Sequence, residues 1–237
     1  MNSDALIYNI LKSKPAIFDS VISGPVDRRV QILYTRIERD KKGQPHFTDH
    51  TYRANADEYH YPASTVKLPV AILALQKLNE LQKEGLDRNT TMLTDSASPE
   101  QTPVLGDRSA ADGRPTIAHY IKKILLVSDN DAYNRLYEFL GPDYINATLH
   151  RMGYTNTALV HRLSLPLTME QNRHTNPVRF LSHDGKLVYF KPAQVATWVA
   201  PKLDIQLGVG YIGKEGLVNQ PFDFSNKNRF PLADLHR

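Results

Sequence analysis

Between Ser64 and Lys83 the chain carries Val66, Leu68, Val70, Ile72, Leu73, Leu75, Leu78 and Leu81, which leaves almost no polar face over the first three turns of a helix. A helix apolar all round belongs inside a domain, so this segment is expected to be the central helix of a helical domain. If Ser64 caps it, Pro69 falls in the second turn. There it cannot donate to the Thr65 carbonyl, so a bent or tight first turn should result. With 237 residues the chain can build one large domain or two small ones around such a helix, and 41% hydrophobic residues are too many for a disordered chain. No apolar run approaches 18 residues, so no stable membrane insertion is expected.

On either side the periodicities are local and readable. Leu6, Ile7, Ile10, Leu11, Ile17, Phe18 and Val21 stand at helical spacing over residues 4–22, with a break at Pro15. Residues 29–53 read as a β-hairpin around Asp40-Lys41-Lys42-Gly43-Gln44. Residues 86–115 are rich in Pro and Gly and read as loop. Helices follow at about 116–127 and 131–140, and Gly141-Pro142 leads into another that ends near Gly153. Residues 154–177 look irregular. Ser182-His183-Asp184-Gly185 between Phe180-Leu181 and Leu187–Phe190 signals a second hairpin, and a short helix should start at Pro192. The tail Phe230-Pro231-Leu232-Ala233-Asp234-Leu235-His236-Arg237 begins like a helix and stops before its second turn is complete. It reads as the N-terminal part of something longer.

The chain has no Cys, which removes disulfides, thiolate zinc sites, iron–sulfur clusters and Cys nucleophiles together without deciding the compartment. Its net charge is only +4, and acids Glu38 and Asp40 interleave the basic run Arg36–Lys42, so no stripe tracks phosphates and no nucleic-acid partner is expected. Met1-Asn2-Ser3-Asp4 has neither a basic nor an apolar leader region.

Two motifs carry chemistry. Ser64-Thr65-Val66-Lys67 is a Ser-x-x-Lys at the start of the apolar helix. Spacing of three puts hydroxyl and ammonium on one face, where Lys67 can take the Ser64 proton if burial lowers its pKa. By composition alone about 0.7 such matches are expected in this chain, so its placement is what counts. Ser128-Asp129-Asn130 sits at a break between two helices, where a hydroxyl and an amide can face a cleft; the plain alternative is a helix N-cap.

With both motifs in this order, and with Tyr61-Pro62-Ala63 before the nucleophile, the sequence resembles the penicillin-recognising serine enzymes, most like class A β-lactamases, most specifically over residues 59–153. The resemblance implies an α+β fold of the β-lactamase/transpeptidase type, an all-helical domain inserted in an α/β sandwich with an antiparallel sheet, incomplete in this chain. Residues 1–60 would form the N-terminal helix and hairpin, 61–177 the helical domain with the motifs, and 178–237 a hairpin and the start of the return to the α/β domain. Ser64 would be the nucleophile, Lys67 its base or proton relay, Ser128 the proton shuttle to the leaving nitrogen, and Asn130 the holder of the substrate's acylamido group. Asp129 would fix the loop, and the Ser64 N–H would be half of an oxyanion hole.

Two departures qualify this. The family's deacylating Glu lies four residues before an Asn, but four before Asn172 is Thr168, and the nearest acid, Glu170, is only two before it. Glu170 is a candidate deacylation base or an ordinary loop carboxylate. The third motif, a Lys-Thr-Gly on an edge strand, is matched only loosely by Lys41-Lys42-Gly43 and Lys214-Glu215-Gly216, so it is expected beyond Arg237.

The expected activity is serine acyl transfer on β-lactams or D-alanyl peptides through a Ser64 acyl-enzyme, with a small-molecule substrate, no metal and no organic cofactor, in a periplasmic or secreted protein whose leader is absent. The alternative is a non-catalytic or acylation-only sensor on the same fold. Glutaminases and some esterases share the fold and Ser-x-x-Lys, so the fold does not name the substrate. A zinc hydrolase is disfavoured because no His-Glu-x-x-His occurs, and an α/β-hydrolase because Gly-x-Ser-x-Gly is absent. Oligomeric state is not legible.

Overall fold

The computed structural model describes residues 3–24 and 28–237; Met1 and Asn2, which open the segment read for a leader, lie outside the described residues. It divides into two compact units, Met1–His60 with Pro231–Arg237, and Tyr61–Phe230.

The first unit holds α1 (Ala5–Lys12), α2 (Pro15–Ser23) and a hairpin of β1 (Ile32–Arg39) and β2 (Pro45–Tyr52). Asp4 caps α1 by accepting from the Leu6 and Ile7 N–H groups, and Pro15 takes the first position of α2, where its missing N–H costs nothing. The hairpin is in register from Ile32 opposite Tyr52 to Arg39 opposite Pro45. Its turn is held by Asp40 Oδ1, which accepts from Lys42 and Gln44 N–H, and Gly43 supplies the φ of +79°. Ile7, Leu11 and Tyr52 form a small core with Phe18, Val21, Ile22 and Ile32 against it.

In the second unit a 3-10 turn (Ala63–Val66) runs into α3 (Lys67–Leu81). There follow β3 (Thr91–Thr94), α4 (Ile117–Val127), α5 (Asn130–Leu140), α6 (Pro142–Arg151), α7 (Met169–Arg173), β4 (His174–Thr175), β5 (Val178–Leu181), β6 (Leu187–Lys191) and β7 (Gln194–Val195). Short hairpin strands complete it: β8 (Gln206–Leu207) with β11 (Phe222–Asp223), and β9 (Tyr211–Gly213) with β10 (Gly216–Val218). A three-stranded sheet runs β3-β5-β6, all antiparallel. The α8 helix (Leu232–His236) belongs to the first unit. The architecture is α+β, as expected.

Several local expectations need correction. The tight first turn is the 3-10 segment, but α3 is not buried all round: Val70, Leu73, Ala74 and Leu78 face the core while Leu68 (47% exposed) and Ile72 (55%) lie outside. The helix that is enclosed is α5, in which every residue from Ala132 to Leu140 is buried although Asn134, Arg135 and Glu138 are polar. Tyr133, Leu136, Tyr137 and Leu140 of α5 share the core with α3, with Ile117, Tyr120 and Ile124 of α4, and with Met92, Val178 and Phe180 of the sheet. Burying side chains of this size contributes about 1.5–3 kcal/mol each. The loop-rich stretch hides β3, whose Thr and Met pair with β5. No helix starts at Pro192; the chain turns into β7, which pairs with β4.

Candidate active site

The 3-10 turn is closed by Thr65, whose N–H and hydroxyl both donate to the Pro62 carbonyl, at 3.0 and 2.7 Å. Ala63 enters it with φ of +45°. The turn leaves Ser64 exposed and rotates Lys67, three positions on, inward until only 2% of it is exposed. Lys67 Nζ lies 3.0 Å from Ser64 Oγ, and it donates to Ser128 Oγ at 2.9 Å and to the Ser128 carbonyl. Burial lowers the Lys67 pKa from its ordinary value, against an upward pull from the Asp129 carboxylate.

Ser128 reaches this lysine because it ends α4 in a left-handed conformation, φ +56°, its N–H bonded back to Ile124. Asp129 caps α5 through the Ala132 N–H at 2.8 Å and sits 3.5 Å from Lys123 Nζ, so the plain capping role falls to this residue and leaves its two neighbours free. Asn130 opens α5 and donates from Nδ2 to Ser164 Oγ at 2.7 Å.

Ser164 was not singled out by sequence reasoning. It lies in the irregular stretch after α6, with φ of +56°, and asparagine side chains position that stretch where strands would otherwise do so. Asn134 exchanges hydrogen bonds with both backbone groups of Leu163, at 3.0 and 2.8 Å. Asn146 does the same for Leu159, and Asn228 Oδ1 accepts from Val160 and His161. Arg162 is locked by Glu138, Nε to Oε1 at 2.8 Å, and Glu138 also takes Arg135 at 2.9 Å. A count back from Asn172 could not find Ser164, because Asn172 Oδ1 is spent on the Arg162 N–H. Thr168 is the N-cap of α7 in a capping box with Gln171.

The structure thus brings Ser64, Lys67 and Ser128 together and places Asn130 against Ser164. Glu170 has its hydrogen bonds with Arg173 and His174 and not with these groups. Its exposed carboxylate pairs with Arg173 at 2.7 Å and lies 3.2 Å from His174 Nε2. Lys41-Lys42-Gly43 occupies the β1–β2 turn and Lys214 the turn between β9 and β10, so neither stands on an edge strand.

A buried amine of lowered pKa between two serine hydroxyls is an arrangement in which the amine can take a proton from one hydroxyl and a second hydroxyl can pass one on. The family model described as the beta-lactamase enzyme family matches residues 28–198, and the chain belongs to that family. Among solved structures it is similar to a mutant of the last common ancestor of Gram-negative bacteria (GNCA) class A beta-lactamase, at 22% identity and TM-score 0.36 over 64% of this chain and 53% of that one. It is also similar to a beta lactamase from Burkholderia vietnamiensis, at 21% identity and TM-score 0.35 over 61% of this chain and 49% of that one. The chain spans about half the length of these structures. No curated protein matches it by sequence. Among the described residues no helix is long and apolar enough to cross a membrane.

Proposed function

We propose that the chain carries the acylating half-reaction of a serine hydrolase that acts on β-lactams or D-alanyl peptides. The observation that carries this reading is the Lys67 amine between Ser64 Oγ and Ser128 Oγ, at 3.0 and 2.9 Å. Neutral Lys67 takes the Ser64 proton as Oγ attacks the carbonyl carbon. When the tetrahedral intermediate collapses and the C–N bond breaks, the Ser128 hydroxyl gives its proton to the leaving nitrogen and regains one from the Lys67 ammonium. The products are a Ser64 ester and a neutral lysine. Asn130 holds the acylamido group, and the Ser64 N–H, in the first turn of its segment and without an acceptor inside it, is available to the oxyanion.

A second reading, acylation without turnover in a sensor, is favoured by one observation: the group beside Asn130 is the Ser164 hydroxyl, which is a poor general base, where hydrolysis calls for a carboxylate. Either way the substrates are met outside the inner membrane, in the periplasm or beyond the cell.

Intact-mass spectrometry after incubation with a penicillin tests both. One added penicillin mass, absent from Ser64→Ala, is the expected result. Lack of any adduct on the folded chain would overturn the proposal, and an adduct that outlasts any released product favours the sensor.

A further inference from the structure

Strand β6 breaks the usual pattern of a half-buried strand. Tyr189 and Lys191 share its inward face, opposite Phe180 and Val178 of β5, and where an apolar residue belongs the chain places a lysine that is only 6% exposed. Among the described residues no carboxylate lies within ion-pairing distance of it. Its Nζ donates to Thr175 Oγ1 at 2.9 Å and to the Pro192 carbonyl at 3.3 Å, both neutral, and that leaves one N–H of the ammonium unassigned. The Thr175 hydroxyl is fully engaged, because it also accepts from the Gln194 N–H and donates to the Gln194 carbonyl.

This amine lines a cavity of about 430 Å³, within the range of small-molecule sites. Tyr189 and Tyr144 supply aromatic surface, and Lys77 stands on the wall with its Nζ 4.3 Å above the Tyr144 ring. The one carboxylate in the lining, Asp143, is turned to the 197–198 segment. Its Oδ2 accepts from the Thr197 N–H and hydroxyl, and its Oδ1 from the Trp198 N–H, so it neutralises neither lysine by contact. Glu138, whose charge acts on Lys191 from farther off, is bracketed by Arg135 and Arg162. Burying an ammonium without a partner is costly, and the cheapest relief is an anion brought from solution. Aromatic walls ask that this anion carry an apolar body.

We propose that this cavity is a binding site for a small aromatic or apolar carboxylate, its carboxylate on Lys191 and its body against Tyr189 and Tyr144. Burial of Lys191, which pulls its pKa down to about 8, leaves it mostly protonated at neutral pH and able to pair. The site is separate from Ser64, and the proposal stands or falls without the reading of that residue.

The test is isothermal titration of the whole chain at pH 7 with benzoate and with benzamide, its uncharged counterpart. Benzoate should bind at least tenfold tighter than benzamide, and Lys191→Met should erase that difference. Lys67→Met, which removes the other buried lysine, should keep it. Equal affinity for the two probes, no benzoate binding, or loss of binding in Lys67→Met would each overturn the proposal. The benzoate and benzamide comparison on the unmodified chain decides the matter even if Lys191→Met fails to fold.

Discussion

Asn130 Nδ2 donates to Ser164 Oγ at 2.7 Å, so the amide expected to hold substrate is tied to a hydroxyl from a loop far along the chain. The loop delivers Ser164 because Asn134 grips the backbone of Leu163, the residue before it. A hydroxyl there cannot take a proton from water as a carboxylate does.

Ser164→Glu should therefore shorten the life of a Ser64 adduct. A well-placed general base contributes about 10²–10⁴ in rate, and even a partly misplaced one should give tenfold. Decay of the adduct mass after free penicillin is removed measures it. Glu170→Ala should leave that lifetime unchanged, because its carboxylate is engaged with Arg173 at the surface. An effect from Glu170→Ala and none from Ser164→Glu would refute this assignment.

Lys67 sets a pH dependence with a definite sign. Its pKa is lowered by burial, so as pH rises through that lowered value the ammonium becomes an amine able to accept the Ser64 proton. Stopped-flow acylation should speed up with pH over a range below the ordinary lysine value of 10.5. Lys67→Met should abolish the dependence and slow acylation by about 10²–10⁴.

Asp107 sets a pH dependence of stability at the acid end. Burial raises its carboxyl, but hydrogen bonds from the Ser109 hydroxyl and N–H and from Lys123 outweigh that and hold it at about 2. A depressed carboxyl stabilises the fold above its unfolded pKa, and the contribution is lost as pH falls from about 4 towards 2. The side chain is 11% exposed. Asp107→Asn should cost about 2 kcal/mol by urea denaturation at pH 7, and the gap to the parent chain should close near pH 2.

Glu138, with its side chain 2% exposed, bridges Arg135 and Arg162. Burial raises its pKa and the two guanidinium groups lower it. Glu138→Ala leaves both arginines buried beside a void, which should cost about 3–5 kcal/mol. Amide exchange should quicken first around residues 160–176, since Arg162 anchors that loop to α5. Uniform quickening over α3 and α4 as well would deny Glu138 a local role.

The elements that could be read in advance are those whose signals are local. Pro15 and Gly43 act through the backbone within a turn of themselves, and α2 and the first hairpin appear where those residues put them, as α4 does where Ile117, Ile121 and Ile124 set its period. The Ser64 and Lys67 pair was legible for the same reason, since three positions on one helical turn leave little freedom. What misled was polarity read without partners. The apolar α3 has an exposed side, whereas the half-polar α5 is enclosed because Asn134, Arg135 and Glu138 find partners 24 to 33 residues away.

By itself, then, the sequence determined the breaks at Pro15 and Gly141, the first hairpin, the family and the nearness of Ser64 to Lys67. Only the tertiary structure decided that Ser128 would close on Lys67, that Ser164 rather than Glu170 would meet Asn130, and that Lys191 would face a cavity without a counter-ion. Periodicity and capping are settled by neighbours along the chain. The partner of a buried hydroxyl, amide or ammonium is settled by whichever distant group the packed core brings within hydrogen-bond reach.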